Sequence, residues 1–207
     1  MGLKERRARE KEERKKQILD AARSLLFAEG LQATSINKIA KLAELGMGTL
    51  YFYFKSKEEI FAALQQEGIA LLYGEIKGVL KGAGSSELRL RAIARVYLDF
   101  SRDKKDYFDI INYFLASPKV VFAPSLKEQI DEQGNKVISL IIETVNKGIF
   151  DGMFKEVDSR RFALLFWAAL HGLVQFEKLK TTILAGEDYQ ELLVYSVDYL
   201  IDGLKRE

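Results

Sequence analysis

The 207-residue chain contains 48 % hydrophobic residues, enough for a substantial core, and no cysteine, which excludes disulfides and thiolate chemistry. Its longest uncharged apolar run spans nine residues, 162–170, whereas a membrane-spanning helix needs about 20. The basic N-terminus lacks the apolar stretch of a secretory signal, so we expect a globular, cytoplasmic protein with no membrane partner.

Charge is unevenly distributed along the chain. Residues 1–57 contain 13 Lys and Arg against 7 Asp and Glu, a net charge of +6, whereas the rest contains 19 against 23, a net charge of −4. A basic segment joined to a mildly acidic body is typical of a nucleic-acid-binding module attached to a second domain. For the stretch from Lys4 to Lys16 alone, a solvated charged helix is an equally good interpretation.

The sequence predicts an all-α fold, because proline occurs only at positions 118 and 124 and no long run alternates between apolar and polar residues. The first helix ends near Gly30, which suits a left-handed stop. Its apolar face has the spacing of a helix: Ile18, Ala22, Leu25 and Leu26. Thr34 is then placed to cap a second helix of about nine residues. A three-residue turn, 44–46, follows at once.

A very short third helix begins at Met47 and crowds four aromatics into consecutive positions, 51–54. Leu50 and Phe54 are four residues apart and share one face, so we expect them to be buried. The opposite side then carries Gly48, Thr49 and Phe52, flanked by Tyr51 and Tyr53. Core packing explains such a surface poorly, whereas DNA explains it well. Tyrosine hydroxyls suit phosphates, a glycine permits close approach, and methyl groups suit thymine.

The next helix has a capping-box pattern at its start, Ser56 followed by Glu59 three positions later. Lys57 lies in the first turn, where it is suited to a phosphate. We expect this helix to run to about Leu80, long enough to connect a DNA-binding head with a second domain.

Two short helices joined by a tight turn constitute a helix-turn-helix. Residues 16–61 resemble the DNA-binding domain of the TetR/AcrR family of transcriptional regulators, with ILDAA, LF, G, TS, IA, GTLY-x-YF and SKE in register. A second, less specific resemblance lies at 148–158, GIFDGMFKEVD, which is similar to the family's connection between its seventh and eighth helices.

This resemblance implies an all-α protein with an N-terminal three-helix head and a larger C-terminal helical domain that binds a small effector and dimerises. We therefore expect a basic arm at 1–15, a helix-turn-helix domain at 16–57 and an effector and dimerisation domain at 58–207. It implies double-stranded DNA, a small-molecule effector and a second copy of the chain as partners, and no cofactor.

Two departures from the family pattern affect DNA recognition. Gly46 replaces the usual serine cap of the recognition helix, and Met47 cannot make the bidentate guanine contact of Arg or Lys. Asn37 is by resemblance the main polar reader. The expected DNA contacts are Thr34, Asn37, Met47, Gly48, Thr49, Tyr51, Phe52, Tyr53 and Lys57. For Tyr51, partial burial beside Leu50 is an equally weighted interpretation.

The C-terminal part is less specific in sequence. Ser86 is placed to cap a helix at 87–103, and further helices are expected at about 125–147, 159–181 and 187–205. For each aromatic residue of this part, burial in the core is the first expectation. The family resemblance implies that some of them line a ligand cavity instead. The expected effector contacts are Tyr97, Phe100, Tyr107, Phe108, Phe114, Phe166, Trp167 and His171.

His171 is the only histidine of the chain. Without cysteine or a second histidine a metal site is disfavoured, so we expect first a hydrogen-bonded interior histidine and second a polar ligand contact. Small residues in the same helix and polar or aromatic residues in the last helix suggest the family's dimer interface: Ala168, Ala169, Gly172, Tyr195, Ser196 and Tyr199.

Three functions account for the sequence to different extents. A ligand-responsive repressor accounts for the charge distribution, the head motif and the aromatic body together. An architectural DNA binder accounts only for the head. An enzyme is disfavoured, because the sequence offers no nucleophile and base pair, no glycine-rich phosphate loop and no metal cluster.

Overall fold

A computed structural model describes residues 2–82, 84–115, 122–179, 181–184, 186 and 188–206, without the side chains of Leu3, Leu31, Gln32, Phe114 and Lys178. The described residues form these helices: α1 Leu3–Ala33, α2 Ile36–Leu42, α3 Met47–Tyr53, α4 Lys57–Leu80, α5 Ser86–Asp103, α6 Lys105–Leu115, α7 Pro124–Phe150, α8 Ser159–Phe176 and α9 Tyr189–Asp202. A 3-10 turn, Glu177–Leu179, follows α8. The all-α expectation is confirmed. No described helix carries an apolar stretch that would take it across a bilayer.

The chain divides into two compact units. One contains Met1–Gly68 and Asp106–Ile130, and the other contains Ile69–Lys105 and Asp131–Glu207. Helix α4 contributes its first half to one unit and its second half to the other. The domain limits expected from the sequence, 16–57 and 58–207, stay a prediction.

The first unit contains the three N-terminal helices that the sequence predicts. The sequence predicts that the first helix ends near Gly30. In the structure Gly30 has a φ of 78°, in the left-handed region, and kinks α1, which continues for three more residues to Ala33. Ser35, and not Thr34, caps α2, because its side chain accepts a hydrogen bond from the Lys38 N–H at 3.3 Å. The hydroxyl of Thr34 donates instead to the Gly30 carbonyl at 2.8 Å.

The core of this unit is apolar and comes from every helix of the head. Its largest fully buried side chains are Phe61, Ile18, Ile39, Leu50, Ile60 and Leu64. Helix α6 also belongs to this unit, and the sequence did not predict it as a helix. Gly68 permits the close approach of α6, because a Cβ atom there would lie 3.2 Å from the side chains of Tyr107 and Ile111.

The second unit is built from α5, α8, α9, the second half of α4 and α7 from Asp131 onward. Its largest fully buried side chains are Phe100, Phe154, Phe166, Ile76, Leu90 and Ile93. Ser85, and not Ser86, caps α5 by accepting a hydrogen bond from the Leu88 N–H at 3.4 Å. Helix α8 ends at Phe176, five residues before the expected limit of 181.

One close contact fixes the connection between α7 and α8. The ring of Phe154 fills the space over Gly148, where a Cβ atom would lie 2.1 Å from the ring. Only glycine fits at 148 while the ring stays in place. Asp158 then begins α8 by accepting a hydrogen bond from the Arg161 N–H at 3.0 Å.

Candidate functional site

The outer face of α3 exposes large aromatic side chains. Leu50 and Phe54 are buried, as predicted, and fix the helix on the head core. On the other side Phe52 is 69 % exposed and Tyr51 is 44 % exposed, and Gly48 and Thr49 are also exposed. Because burial of a phenylalanine stabilises a fold by roughly 1.5–3 kcal/mol, a ring left in water needs a reason outside folding.

The turn before α3 is tightly constrained. The Leu45 N–H donates to the Ala40 carbonyl at 2.9 Å, and Glu44 has a φ of 52°. Gly46 begins α3 without a side-chain cap, as expected, and its carbonyl accepts from the Leu50 N–H at 3.1 Å. These contacts hold α3 at a fixed angle to α2, which a recognition helix requires.

A Cβ atom built on Gly48 meets no atom within 4 Å. Internal packing therefore does not demand a glycine at this position. Open space over a helical glycine on an exposed face allows another molecule to approach the backbone.

Polar and basic side chains flank this face. Asn37 on α2 is exposed, and Lys57 is half-buried at the start of α4. Lys55 is exposed, and its Nζ lies 3.0 Å from the Tyr51 carbonyl, at the end of α3. Lys55 was not among the expected DNA contacts. Its position directly after the third helix could have indicated a phosphate contact from the sequence alone.

The predicted capping box at the start of α4 is only half formed. Ser56 accepts from the Glu59 N–H at 3.2 Å, as expected. The Glu59 carboxylate accepts from the Lys55 N–H at 2.7 Å, one residue before the position that the motif predicts. This contact still fixes the segment that carries Lys55 and Lys57.

Thr34 does not belong to the exposed surface. It is 1 % exposed, and its hydroxyl is used by the Gly30 carbonyl. Of the other eight residues expected to contact DNA, six belong to α3, one to α2 and one to the start of α4: Met47, Gly48, Thr49, Tyr51, Phe52 and Tyr53, then Asn37, then Lys57.

A polar network connects three helices of the same unit and was not visible in the sequence. The Tyr107 hydroxyl of α6 donates to the Glu67 carboxylate of α4 at 2.9 Å and accepts from the Arg23 guanidinium of α1. Arg23 also pairs with Asp20 and lies 5.0 Å from the centroid of the Tyr107 ring. Burial, with a further contribution from Glu67, raises the pKa of Tyr107 to about 12.

Three expected effector contacts lie together in the second unit. The Tyr97 hydroxyl is 2.9 Å from His171 Nδ1, and its ring centroid is 4.7 Å from that of Trp167. Burial lowers the pKa of His171 and raises the pKa of Tyr97, so both are neutral near pH 7. His171 is half-buried and hydrogen-bonded, which agrees with the first of its two interpretations.

The other expected effector contacts are distributed differently. Phe100 and Phe166 are fully buried in the second unit, whereas Tyr107 and Phe108 belong to the first. The side chain of Phe114 lies outside the described residues. Among the described residues no group of three or more acidic or histidine side chains could hold a metal ion.

Helices α8 and α9 expose an apolar stripe. Its members are exposed by 48–70 %: Leu164, Leu165, Val194, Tyr195 and Tyr199. The rings of Tyr195 and Tyr199 stack with centroids 6.1 Å apart. Ala168 is also exposed, whereas the Ser196 hydroxyl donates to the Leu192 carbonyl at 2.8 Å. Apolar surface of this kind marks an interaction site more often than a chance exposure.

Two family models match the chain. Residues 18–64 match bacterial regulatory proteins of the tetR family, and residues 90–200, more than half of the chain, match the tetracyclin repressor-like C-terminal domain. The chain belongs to the TetR family. It is therefore a DNA-binding transcriptional regulator with a C-terminal ligand-binding domain, and not an enzyme.

Similar proteins come from Bacillus subtilis. The HTH-type transcriptional regulator YhgD is 29 % identical over 147 residues, 70 % of this chain and 74 % of that protein. The fatty acid metabolism regulator protein is 24 % identical over 140 residues, 68 % of this chain and 70 % of that protein. The crystal structure of the regulator FadR in complex with stearoyl-CoA superimposes with a TM-score of 0.75 at 21 % identity, covering 91 % of this chain and 98 % of that chain. At this identity the superposition establishes the fold.

Proposed function

We propose that this TetR-family protein is a dimeric, cytoplasmic repressor, released from a pseudo-palindromic operator when a small, largely apolar effector binds its C-terminal domain. The observation that carries the proposal is the outer face of α3, where Phe52 is 69 % exposed beside an open glycine. This face has no role in the core, and its chemistry fits the major groove of DNA.

Recognition of bases relies mainly on apolar contacts. Met47 and Thr49 offer methyl groups to thymine, and Asn37 is the polar group suited to adenine. Tyr53 and Lys57 contact phosphates, which position the helix without reading sequence. Lys55, exposed at the end of α3, adds a further phosphate contact.

Dimerisation occurs through the exposed stripe of α8 and α9. Five large apolar side chains in water on two helices suit a self-complementary interface, because each copy covers the stripe of the other. A two-fold dimer presents two α3 helices, so the operator has two related half-sites.

The effector is largely apolar, and a fatty acyl compound is the first candidate. Tyr97, Trp167 and His171 form an aromatic cluster whose polar atoms are neutral at pH 7. Such a cluster can accommodate an apolar ligand and orient it with one hydrogen bond. The similarity to a fatty acid metabolism regulator and to a regulator bound to stearoyl-CoA supports this chemistry.

The switch operates through α4, whose 24 residues extend about 36 Å. Within the first unit its Glu67 is tied to Tyr107 of α6 and through it to Arg23 of α1. A ligand that shifts α6 or the far half of α4 therefore changes the separation of the two α3 helices in a dimer. The ligand must bind the released conformation more tightly, because equal affinity for both conformations shifts nothing.

The proposal is tested with stearoyl-CoA and, as a matched polar control, coenzyme A alone. Thermal melting and fluorescence anisotropy on a selected operator duplex are measured with each compound. We expect stearoyl-CoA to raise Tm and weaken operator binding, and coenzyme A to do neither. Ligands that raise Tm yet leave operator affinity unchanged contradict the switch, and a response confined to small, highly polar compounds contradicts the apolar site.

A further inference from the structure

The N-terminal arm is a helical extension that the family model does not include. Helix α1 begins at Leu3, whereas the matched segment begins at residue 18. The described side chains of residues 4–14 are all exposed, and the hydrogen bonds of α1 to the rest of the head begin at Gln17, whose Nε2 donates to the Ala43 carbonyl at 2.7 Å. The arm thus makes no contribution to the core of the head, and its sequence is available for another role.

All four carboxylates of the arm have partners within the arm itself. Glu10 pairs with Arg6 at 3.0 Å, Glu13 with Arg9 at 2.9 Å and Glu12 with Lys15 at 3.7 Å. Glu5 accepts from the Gly2 N–H at 2.8 Å. The acidic residues are therefore engaged with one subset of the basic residues.

Four of the remaining basic residues form a stripe, which we define as Lys4, Arg7, Lys11 and Arg14, whereas Lys16 lies on the opposite side of the helix. None of the four takes part in an ion pair with a described residue, and Arg14 donates only to the Gln17 amide at 2.9 Å. Their spacing of three, four and three residues places them on one face of an α-helix. The arm therefore separates its charge into a neutralised side and a cationic side.

The next position along the stripe is Ile18, four residues after Arg14, and Ile18 is fully buried in the head core. Ala22 continues the same line and is also buried. The stripe thus projects from the side of α1 that faces the other helices of the head, and not from its outer side.

We propose that this stripe is a second DNA-contacting element, which lies along the phosphates of the duplex flanking the half-site read by α3. The inference rests on the proposed DNA-binding function of the head. From Lys4 to Arg14 the helix rises about 15 Å, and a duplex presents one phosphate on each strand for about every 3.4 Å of its axis. Four cations on one line therefore match a run of phosphates.

The composition of the arm favours DNA over a membrane. An interfacial helix needs an apolar face, and residues 3–16 contain only Leu3 and Ala8 as apolar side chains. Lysine and arginine alone cannot read a base sequence through phosphates. The stripe therefore adds affinity that does not depend on base sequence, and it lengthens the protected segment of DNA.

The test compares two full-length variants in which the same number of positive charges is removed. The stripe variant is K4A/R7A/K11A/R14A, and the matched control is R6A/R9A/K15A/K16A, which leaves the stripe intact. Alanine favours the helix in both. Binding to the selected operator and to a random duplex is measured by anisotropy at several salt concentrations.

We expect the stripe variant to bind both duplexes about 10- to 100-fold more weakly at 0.15 M salt, with unchanged preference for the operator. The slope of log K against log salt should fall by about 0.9 for each phosphate that is no longer neutralised, hence by up to about 3.6 per protomer. The control should change the slope much less. Shortening the flanks of the operator should weaken binding by the wild type and leave binding by the stripe variant unaffected.

Equal slopes for the stripe variant and the control would overturn the proposal, as would insensitivity of the wild type to flank length. If circular dichroism reports a loss of helix in the stripe variant, K4Q/R7Q/K11Q/R14Q replaces it with the same expectations. Failure of the head is recognised separately: the wild type would then show no preference for any duplex, and Gly48→Glu would bind as the wild type does.

Discussion

Two groups of aromatic residues in this protein have similar composition and opposite environments. On α3, Tyr51 and Phe52 lie on the side of the helix away from Leu50 and are exposed. On α5 and α8, Tyr97 and Phe166 are almost fully buried. The difference arises because α3 has only two turns and one core-facing side, whereas α5 and α8 are packed among several helices.

This comparison identifies where function can be separated from stability. An aromatic ring in the core contributes to folding, so its removal affects every property of the protein. A ring held in water on a short helix contributes little to folding, so its removal affects what the surface binds. The distinction can be tested by variants and by altered DNA, from the largest expected effect to the smallest.

Truncation of one ring from each group should give opposite results. Phe166→Ala removes a fully buried side chain and should lower the free energy of unfolding by about 3–5 kcal/mol. Phe52→Ala should change it by no more than about 0.5 kcal/mol. Chemical denaturation of both variants checks this, and similar losses of stability in the two would remove the distinction.

Gly48→Glu should abolish operator binding, by more than about 100-fold, because it places bulk and negative charge at the closest approach to DNA. It should not lower Tm, since a Cβ atom at this position meets nothing within 4 Å and glutamate favours a helix more than glycine does. Gly48→Ala is the milder control. Anisotropy and thermal melting measure the two properties, and a Gly48→Glu protein with full operator affinity would exclude this face from the interface.

Replacement of thymine by uracil in each half-site tests whether the protein recognises bases through apolar contacts with thymine methyl groups. Each missing methyl group should cost about 0.8 kcal/mol where Met47 or Thr49 contacts it, or about fourfold in affinity. The measurement is anisotropy with matched duplexes. An operator that binds equally well with uracil would show that the methyl groups are not read.

Lys57→Ala should weaken binding to operator and random duplex alike and reduce the salt slope by about 0.9. The reason is that a lysine beside a helix start contacts phosphates, which are present at every sequence. Lys77→Ala, a change at an exposed lysine near the other end of the same helix, serves as control. Unchanged binding of Lys57→Ala to both duplexes would exclude this residue.

The smallest effect concerns pH. Burial lowers the pKa of His171 below its ordinary value of 6.5, so the unfolded chain binds more protons below that pH. The stability that neutral His171 contributes to the folded state is complete above about pH 7 and is lost as the pH falls through the lowered pKa. His171→Gln should therefore show a shallower loss of stability between about pH 7 and 5 in denaturation experiments. An identical pH profile for the variant would show that this histidine does not titrate as its burial implies.

The sequence was most informative where local periodicity decides structure. The buried pair Leu50 and Phe54 and the start of α3 at Met47 follow from helical spacing alone, and both are confirmed. Caps were displaced by one residue, from Thr34 to Ser35 and from Ser86 to Ser85, because adjacent hydroxyl residues are equally suited to capping.

Contacts between distant parts of the chain were not predictable. Arg23 donates a hydrogen bond to Tyr107, which lies 84 positions later in the chain, and Gly68 permits the close approach of α6, the helix that carries Tyr107. Hydrophobic periodicity indicates neither contact. Thr34 is likewise buried beside the kink at Gly30, where its hydroxyl donates a hydrogen bond to the Gly30 carbonyl. The roles of the expected DNA and effector contacts remain predictions for the variants described above.

Selection of duplexes from a random library with the full-length protein tests the central claim most directly. Bound DNA is amplified and sequenced over successive rounds, with Gly48→Glu carried in parallel. We predict an inverted repeat, enriched by the wild type alone, whose half-site centres lie about one helical turn, 10–10.5 bp, or a multiple of it apart. No enrichment by the wild type, or the same motif enriched by Gly48→Glu, would contradict the account.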